Sequence, residues 1–203
     1  MENLTLIFIG MSGCGKGTQI ELLSEYLERK EPNIPVFHMQ IGQYFRDFVS
    51  RDTYAAEIAR KNMKEGKRGA DFLAMWMWSN VMVKNLTGKE HLILDGSPRS
   101  LNEAQNLDIA MKFFKREQPV VIHLKVSSKW SEQHLLERAK KQESDRSDDV
   151  LENIRKRIAW YEQDVLPAVE FYRRDRDYDF MEIDGERTIE EVHKSIVHQL
   201  FGE

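Results

Sequence analysis

Gly10-Met-Ser-Gly-Cys-Gly-Lys-Gly-Thr18 is the stretch of sequence that decides the fold. It follows the apolar run Leu4–Ile9 and opens a segment with helical patterning. Its four glycines allow backbone dihedrals that turn consecutive N–H groups inward around a phosphate. The pattern matches G-x-x-x-x-G-K-[ST], except that Gly17 separates Lys16 from Thr18. The stretch therefore predicts a phosphate-binding loop between a buried strand and a helix N-terminus, whose dipole favours anions.

The side chains of this loop predict how ATP is held. Lys16 is placed to reach the β- and γ-phosphates, and Thr18 is placed near a Mg²⁺ ion. Cys14 contributes its backbone, and its thiol is a bystander. The predicted ATP-binding residues of the loop are Gly13, Cys14, Gly15, Lys16, Gly17 and Thr18.

The composition narrows the classes of function. A chain of 203 residues fits one α/β domain with small insertions. Acidic residues outnumber basic ones by 34 to 30, which argues against a nucleic acid or an anionic membrane as the main partner. Cys14 is the only cysteine, so an internal disulfide and a multi-cysteine zinc site are excluded. We expect a soluble cytoplasmic protein, since no segment approaches the length of a membrane span.

Five short runs are typical of strands, and helical pattern separates each from the next. They are Leu4–Ile9, Val36–Met39, His91–Asp95, Val120–Val126 and Asp179–Asp184. The first, third and fourth are nearly continuous in Leu, Ile and Val, as expected for a parallel sheet covered on both faces. The alternation predicts right-handed crossovers and a doubly wound α/β fold with a five-stranded parallel sheet.

Several local patterns add detail to this fold. Capping boxes are predicted at Ser100–Glu103 and Thr188–Glu191. Phe72–Met82 is apolar on more than one helical face and predicts a buried helix. Ile41–Gly69 has helical pattern without a strand, and Lys140–Asp149 is dense in charge. We expect these last two segments to be excursions from the core, acting either as flaps or, for the second, as a solvated surface loop.

Further segments resemble those of the adenylate kinase family, including its short-lid members and the related uridylate/cytidylate kinases. Beyond Gly10–Gln19, they are Gly42–Arg46 (GQYFR), Gly66-Lys67, Asp95-Gly-Ser-Pro-Arg99, Glu137-Arg138, Arg146-Ser-Asp-Asp149 and Arg157. The resemblance covers nearly the whole chain and implies a monomeric kinase that binds ATP and a nucleoside monophosphate. It also implies Mg²⁺ brought in with ATP and no structural zinc.

The resemblance divides residues 1–203 into parts of one P-loop kinase domain. The core would comprise residues 1–40, 70–137 and 148–203, the monophosphate-binding flap residues 41–69, and the short lid residues 138–147. Closure of the flap and lid would exclude water and so prevent hydrolysis of ATP.

The chemistry of such a transfer explains a set of arginines. An oxygen of the acceptor's phosphate is already ionised near neutral pH, so no general base is needed. Catalysis must come from aligning two charged phosphate groups and spreading the charge of the moving phosphoryl, for which arginine is well suited. By resemblance the catalytic residues are Lys16, Arg99, Arg138, Arg146 and Arg157.

The resemblance also assigns the remaining site residues. Arg138 and Arg187 would lie on the ATP side, and Asp95 would join Thr18 at the Mg²⁺ ion. The predicted monophosphate-binding residues are Ile41, Arg46, Lys67, Arg68, Gly69, Gly96, Arg99, Glu103, Arg146 and Arg157.

The identity of the acceptor base stays open, because several residues depart from the family pattern. AMP is the default, but Glu103 stands where the family has a glutamine that reads adenine, and Ile41 and Gly69 also depart. An ionised Glu103 could bind the paired donors of guanine, which would make GMP or IMP the acceptor. It could instead fold back on the N–H of Ser100 as a helix cap and meet no ligand. UMP, CMP or a different small metabolite could also be the acceptor, and a nucleotide-binding regulatory role with little turnover stays open.

Overall fold

The strands form one parallel sheet in the order that a doubly wound fold requires. The computed structural model describes residues 3–140 and 151–203. Within these ranges the strands are β1 Thr5–Gly10, β2 Val36–Gln40, β3 His91–Asp95, β4 Val120–Lys125 and β5 Asp179–Asp184. All paired neighbours are parallel, in the order β2-β3-β1-β4-β5. The predicted fold is confirmed, and each strand lies within one residue of its predicted bounds.

Helices connect and cover these strands. In the described ranges they are α1 Lys16–Lys30, α2 Ile41–Val49, α3 Tyr54–Lys64, α4 Asp71–Asn85, α5 Leu101–Phe113, α6 Ser128–Lys140, α7 Leu151–Trp160, α8 Leu166–Arg174 and α9 Ile189–Phe201. A π-helical turn, Tyr161–Val165, joins α7 to α8. Among the helices of these ranges, none combines the length and the apolar character of a membrane-spanning segment.

The three central strands β1, β3 and β4 are buried on both faces. Their alternate side chains point to opposite sides of the sheet, and apolar residues of other elements pack on each side. On one face Leu6 and Phe8 pack with Ile20 and Leu23 of α1 and with Ile196 of α9. The other face packs a second apolar cluster that includes Ile7, Ile9, Leu92, Met82 and Tyr172. The carboxyl ends of the strands are thereby fixed relative to one another, and the loops that follow them carry the site.

The excursion after β2 contains α2 and α3 and no strand, as predicted. It has an apolar cluster of its own, in which Phe48 and Ala59 pack against Leu73 and Met77 of α4.

The prediction of a buried helix at Phe72–Met82 is only partly right. Leu73, Met77, Trp78, Val81 and Met82 are buried, but the side chains of Phe72 and Trp76 are 69% and 49% exposed. The helix packs on the core along one side only, and Phe72 lies at the wall of a cavity.

One predicted capping box is confirmed and the other needs a correction. Thr188 and Glu191 satisfy each other's backbone N–H groups at the start of α9. At the start of α5, Ser100 Oγ accepts a hydrogen bond from Glu103 N. Glu103, however, accepts from the N–H of Arg99 and not from that of Ser100. The chain before α5 turns so that the N–H one residue earlier points at the carboxylate.

Candidate active site

The glycine-rich loop lies between β1 and α1, at the carboxyl edge of the sheet. Gly13 and Gly15 have φ values of +80° and +87°, in the left-handed region that favours glycine. A side chain at Gly10 would place its Cβ 2.7 Å from Cys14 Sγ, so the loop packs closely there. At Gly15 and Gly17, by contrast, a Cβ would meet nothing within 4 Å. The first turn of α1 contains no acidic residue and no side-chain cap. The loop thus has open space beside a helix N-terminus, as a phosphate requires.

Lys16 lies across this loop. Its Nζ donates hydrogen bonds to Gly10 O at 2.6 Å and Met11 O at 3.0 Å, and lies 3.5 Å from Cys14 Sγ. Thr18, two residues further along α1, is exposed. The loop lysine is therefore held by main-chain carbonyls at the place where phosphate oxygens would replace them.

Asp95 ends β3 next to the loop, opposite Phe8 of β1 and Gln40 of β2. His38 Nε2 lies 3.7 Å from its Oδ2, and Gln40 Nε2 donates to it at 3.4 Å. Burial by itself raises the pKa of Asp95, but the contact with His38 and the charge of Lys16 outweigh burial and lower the pKa overall. The carboxylate is consequently charged at neutral pH.

Thr18 and Asp95 offer only oxygen donors, which is the ligand chemistry of Mg²⁺. Across residues 3–140 and 151–203, no three His, Cys, Asp or Glu side chains are grouped so that they could hold a metal ion. The donor set fits an ion that arrives with nucleotide phosphates and does not fit a resident metal.

A cavity of about 520 Å³ opens beside the loop, between the core and the excursion of α2 and α3. Cationic side chains from distant parts of the chain line it, namely Lys16, Arg46, Lys67, Arg68, Arg99 and Arg157. Its apolar lining includes Ile41, Phe45, Ile58, Met63, Leu73 and Val165. The lining therefore offers positive charge for an anionic group and apolar surface for a flat ring.

Arg99 is held at the end of the turn that follows β3. Its Nε donates to Gly96 O at 2.6 Å, and Gly96 has a φ of +83°. Burial lowers the pKa of the Arg99 guanidinium, while the charges of Glu103 and Asp95 act in the opposite direction. An acceptor phosphate would add to the second influence, so the position favours an anionic ligand. Arg46 on α2 donates to Gln43 Oε1 from both Nε and Nη2.

Lys67 and Arg68 line the cavity but have carboxylate partners in this structure. Lys67 Nζ lies 2.7 Å from Glu65 Oε2. Arg68 pairs with Asp71 through Nη1, and its Nε donates to Asp164 Oδ2 at 3.1 Å. Arg68 thereby ties the end of the excursion to α4 and to the π-helical turn. Contact of these two side chains with a phosphate stays a prediction.

Ile41 and Gly69 lie at the cavity wall, where acceptor-site residues are expected. Ile41 is buried at the start of α2. A Cβ at Gly69 would lie 3.4 Å from Phe45 Cε2, so an aromatic ring faces the space that the missing side chain leaves.

The predicted ATP side is built around the other flank of the loop. Ser131 Oγ of α6 donates to Ser12 O at 2.6 Å, and Leu135 lies directly under Gly13. Arg138 is half-buried near the end of the same helix.

The loop after β5 also lies beside the phosphate-binding loop. A Cβ at Gly185 would lie 3.5 Å from Cys14 O, and the exposed Arg187 follows in this loop. Arg146 and residues 141–147 of the predicted lid lie outside the described residues.

Several residues of the site could not be found from the sequence. Ser97 contacts Glu103, Asp71 accepts from Ser100 Oγ at 2.8 Å, and Trp160 and Tyr161 line the cavity.

The π-helical turn that follows Arg157 also contacts the sheet. His123 Nε2 lies 2.8 Å from Tyr161 Oη of this turn. Such turns are frequent at functional sites, but no spacing in the sequence marks this one.

Comparison with known proteins gives a consistent result. A family model described as adenylate kinase matches residues 8–177. An adenylate kinase from Azobacteroides pseudotrichonymphae is 30% identical over 197 residues, which covers 97% of both chains. Adenylate kinases from Flavobacterium psychrophilum and Parabacteroides distasonis are 30% and 31% identical, and the matches cover 93% or more of each chain.

Proposed function

Since the chain belongs to the adenylate kinase family, a family of phosphotransferases, we propose that it transfers the γ-phosphoryl of ATP to AMP and so forms two molecules of ADP. The observation that carries this proposal is the cavity beside the phosphate-binding loop. Lys16 of the loop and three arginines from α2, the β3–α5 turn and α7, namely Arg46, Arg99 and Arg157, line the same space. A donor phosphate on the loop and an acceptor phosphate in the cavity would therefore be neighbours.

The residues act by positioning and by charge. Arg46 and Arg99 hold the acceptor phosphate, whose ionised oxygen attacks the γ-phosphorus without a general base. Arg157 and Lys16 stabilise the charge of the moving phosphoryl, and Arg138 and Arg146 are proposed to close on it from the ATP side. Lys16 exchanges the carbonyl oxygens of Gly10 and Met11 for phosphate oxygens, so that its half-buried ammonium keeps hydrogen-bond partners in both states.

We propose that Thr18 and Asp95 hold Mg²⁺, directly or through its water, when it enters with ATP. The bound ion would neutralise charge on the β- and γ-phosphates. No resident metal is part of the proposal.

The movable parts of the protein are proposed to be residues 41–69 over the monophosphate and residues 138–147 over ATP. Their closure would exclude water from the transfer. The carboxylate pairs of Arg68 anchor the end of the first segment to α4 and to the π-helical turn, so the proposed movement would take place before Arg68. A monomer working in the cytoplasm, without nucleic-acid or membrane partners, completes the proposal; the single buried Cys14 agrees with a reducing compartment.

A coupled assay of ADP formation tests the function. Purified protein is given Mg-ATP with AMP, GMP, UMP, CMP, dTMP or IMP in turn, and AMP should be the best acceptor. Lys16→Met and Arg99→Ala should each lower kcat with AMP by several powers of ten, because each removes a charge aimed at the reacting phosphates.

Lys194→Met and Arg174→Ala are matched controls, because both side chains are exposed on helices away from the cavity. Both controls should transfer at the wild-type rate, and circular dichroism should show all four variants folded. Near-normal transfer by Lys16→Met and Arg99→Ala would reject the proposed site. Tight ATP binding without transfer to any acceptor would instead indicate a regulatory nucleotide-binding protein.

A further inference from the structure

Glu103 is a buried carboxylate at the edge of the acceptor cavity, with a side chain that is only 1% exposed. It lies in the first turn of α5, and both of its oxygens have partners. Oε1 accepts a hydrogen bond from Ser97 Oγ, and Oε2 accepts one from the backbone N–H of Arg99. Both bonds run to the turn between β3 and α5, which carries Arg99.

The partners define what this carboxylate can do. A backbone N–H can only donate, so the group facing Arg99 must be an acceptor. Burial raises the pKa of Glu103, while the bonds from Ser97 and Arg99 and the Arg99 charge oppose that rise. Asp71, the other carboxylate near the turn, accepts from Ser100 Oγ at 2.8 Å and pairs with Arg68. The hydrogen bonds described for the Glu103 carboxylate run to residues 97–99, with one bond on each oxygen.

The same turn fixes the Arg99 side chain. Its Nε is bonded to Gly96 O, and a Cβ at Gly96 would lie 3.1 Å from Arg99 Nη2, so the guanidinium lies back over the turn. Glu103 holds the turn at the Arg99 backbone, and Gly96 holds the guanidinium. A shift of the turn would move the guanidinium with it.

We propose that Glu103 is a positioning residue that holds the 96–99 turn and thereby places Arg99 for the acceptor phosphate, and that it does not read the acceptor base. This inference rests on the proposed function, because it needs Arg99 to bind the acceptor phosphate. The two hydrogen bonds that Glu103 accepts, from Ser97 Oγ and from Arg99 N, form a brace on this turn, and Ser97 is its second member. The base is then selected by other parts of the cavity wall.

Two substitutions at Glu103 separate this role from base recognition. Glu103→Gln keeps the brace, since its amide oxygen can accept from Arg99 N and its amide nitrogen can donate to Ser97 Oγ. Glu103→Leu has a similar size but can accept no hydrogen bond. Leu should lower kcat/KM for AMP about 100-fold, the effect of misplacing a reacting group by about an ångström. Gln should recover most of that loss, and the KM for ATP should stay unchanged in both variants.

The base dependence is the first readout that a base reader would move. The ratio of kcat/KM for AMP to that for IMP should be the same in wild type, Glu103→Gln and Glu103→Leu. A Gln variant that shifts this ratio several-fold towards AMP would show that the carboxylate faces the base, and would overturn the proposal in favour of guanine-type recognition.

A double-mutant cycle with Arg99→Ala is the second readout. Once the guanidinium is gone, Glu103→Leu should cause no further loss of kcat/KM, because a positioning residue has nothing left to position. A full additional 100-fold loss in that background would contradict the proposal, as would full activity of Glu103→Leu alone. These outcomes are read against a wild-type protein that transfers to AMP; absence of transfer in wild type would reject the proposed function itself.

Thermal unfolding shows whether a loss of activity comes from loss of the folded state. If Glu103→Leu does not fold, Ser97→Ala replaces it, because that change removes one donor and leaves the bond to Arg99 N in place. Ser97→Ala should lose less kcat/KM than the 100-fold expected for Glu103→Leu, with the same AMP to IMP ratio as wild type. A changed ratio in Ser97→Ala would count against the brace.

Discussion

Gly13 and Gly15 share a left-handed backbone but have different surroundings. A Cβ at Gly13 would lie 2.8 Å from Leu135 Cγ in the core, whereas a Cβ at Gly15 would meet no atom within 4 Å. Gly13 is therefore required for packing of α6 against the loop, and Gly15 leaves the space in which a phosphate would lie. The same residue type thus serves stability at one position and ligand binding at the other.

Alanine at these two positions should separate the two effects. Each substitution should cost about 1–2 kcal/mol of unfolding free energy for the left-handed backbone, and Gly13→Ala should add about 1–3 kcal/mol for the overlap with Leu135. Gly15→Ala should mainly raise the KM for ATP. Urea unfolding and ATP titration measure both quantities. A Gly15→Ala protein that is as destabilised as Gly13→Ala, with unchanged ATP binding, would contradict this assignment.

Single residues differ in how well the sequence predicts their place in the site. The spacing within the glycine-rich stretch predicts the place of Lys16, whereas Asp95 and Arg99 belong to a separate motif that only the resemblance assigns to the same site. The sequence leaves Glu103 between reading the acceptor base and capping α5, and the structure shows its carboxylate accepting from Ser97 Oγ and from the N–H of Arg99, where the cap hypothesis names the N–H of Ser100. Which N–H meets a carboxylate depends on the dihedrals of the turn, and a spacing of four residues does not specify these.

At the scale of elements, strands were predictable where burial on both faces leaves a continuous apolar run. His91–Asp95 is such a strand and has the bounds that the sequence indicated. Asp179–Asp184 also has the predicted bounds, although it is an edge strand with mostly exposed or half-buried residues. The helix at Phe72–Met82 was less predictable, because a cavity wall and a core face use the same apolar residues. Phe72 is exposed at the cavity wall, and Trp76 is also half-exposed although it does not line the cavity. Tyr161 of the π-helical turn contacts His123 of β4, 38 positions earlier in the chain, and no local pattern contains that contact.

The edge between β4 and β5 carries a pH-dependent contribution to stability. Glu182 of β5 bonds to Arg173 Nη2 at 2.5 Å and to Lys125 Nζ at 2.9 Å. These bonds, with that from Arg173 the larger influence, lower the pKa of Glu182 from its ordinary value of 4.5 to about 2. Because the folded-state pKa is the lower one, the stabilisation is complete above about pH 4.5 and is lost as the pH falls towards 2.

Glu182→Gln should therefore lower the melting temperature at pH 7 by more than it does at pH 3. Wild type and variant are compared by thermal unfolding across that range. Glu28→Gln, which removes an exposed charge on α1, is the matched control and should show a much smaller difference at pH 7. A Glu182→Gln deficit that stays constant or grows towards pH 3 would contradict the stated origin of the effect.

At the scale of the whole molecule, the sheet order explains why scattered residues meet. β1 lies between β3 and β4, so the loop after β1 and the turn after β3 open at the same edge of the sheet. The donor side could be predicted because one local motif carries most of it. The acceptor cavity could be predicted only by resemblance, because its walls come from α2, α3, α4, α5 and the turn after α7, which are brought together by the tertiary fold.

The whole molecule should also fold without a metal ion. The single cysteine is buried in the phosphate-binding loop, and the described parts of the chain contain no group of side chains arranged to hold a metal. A structural zinc site contributes directly to the free energy of folding, so its removal lowers thermal stability. We therefore expect EDTA to stop ADP formation, because ATP loses its Mg²⁺, while the melting temperature of the nucleotide-free protein stays unchanged. Excess Mg²⁺ should restore full activity. A lower melting temperature in EDTA, or one equivalent of zinc that survives dialysis when measured by plasma mass spectrometry, would show that a resident metal exists.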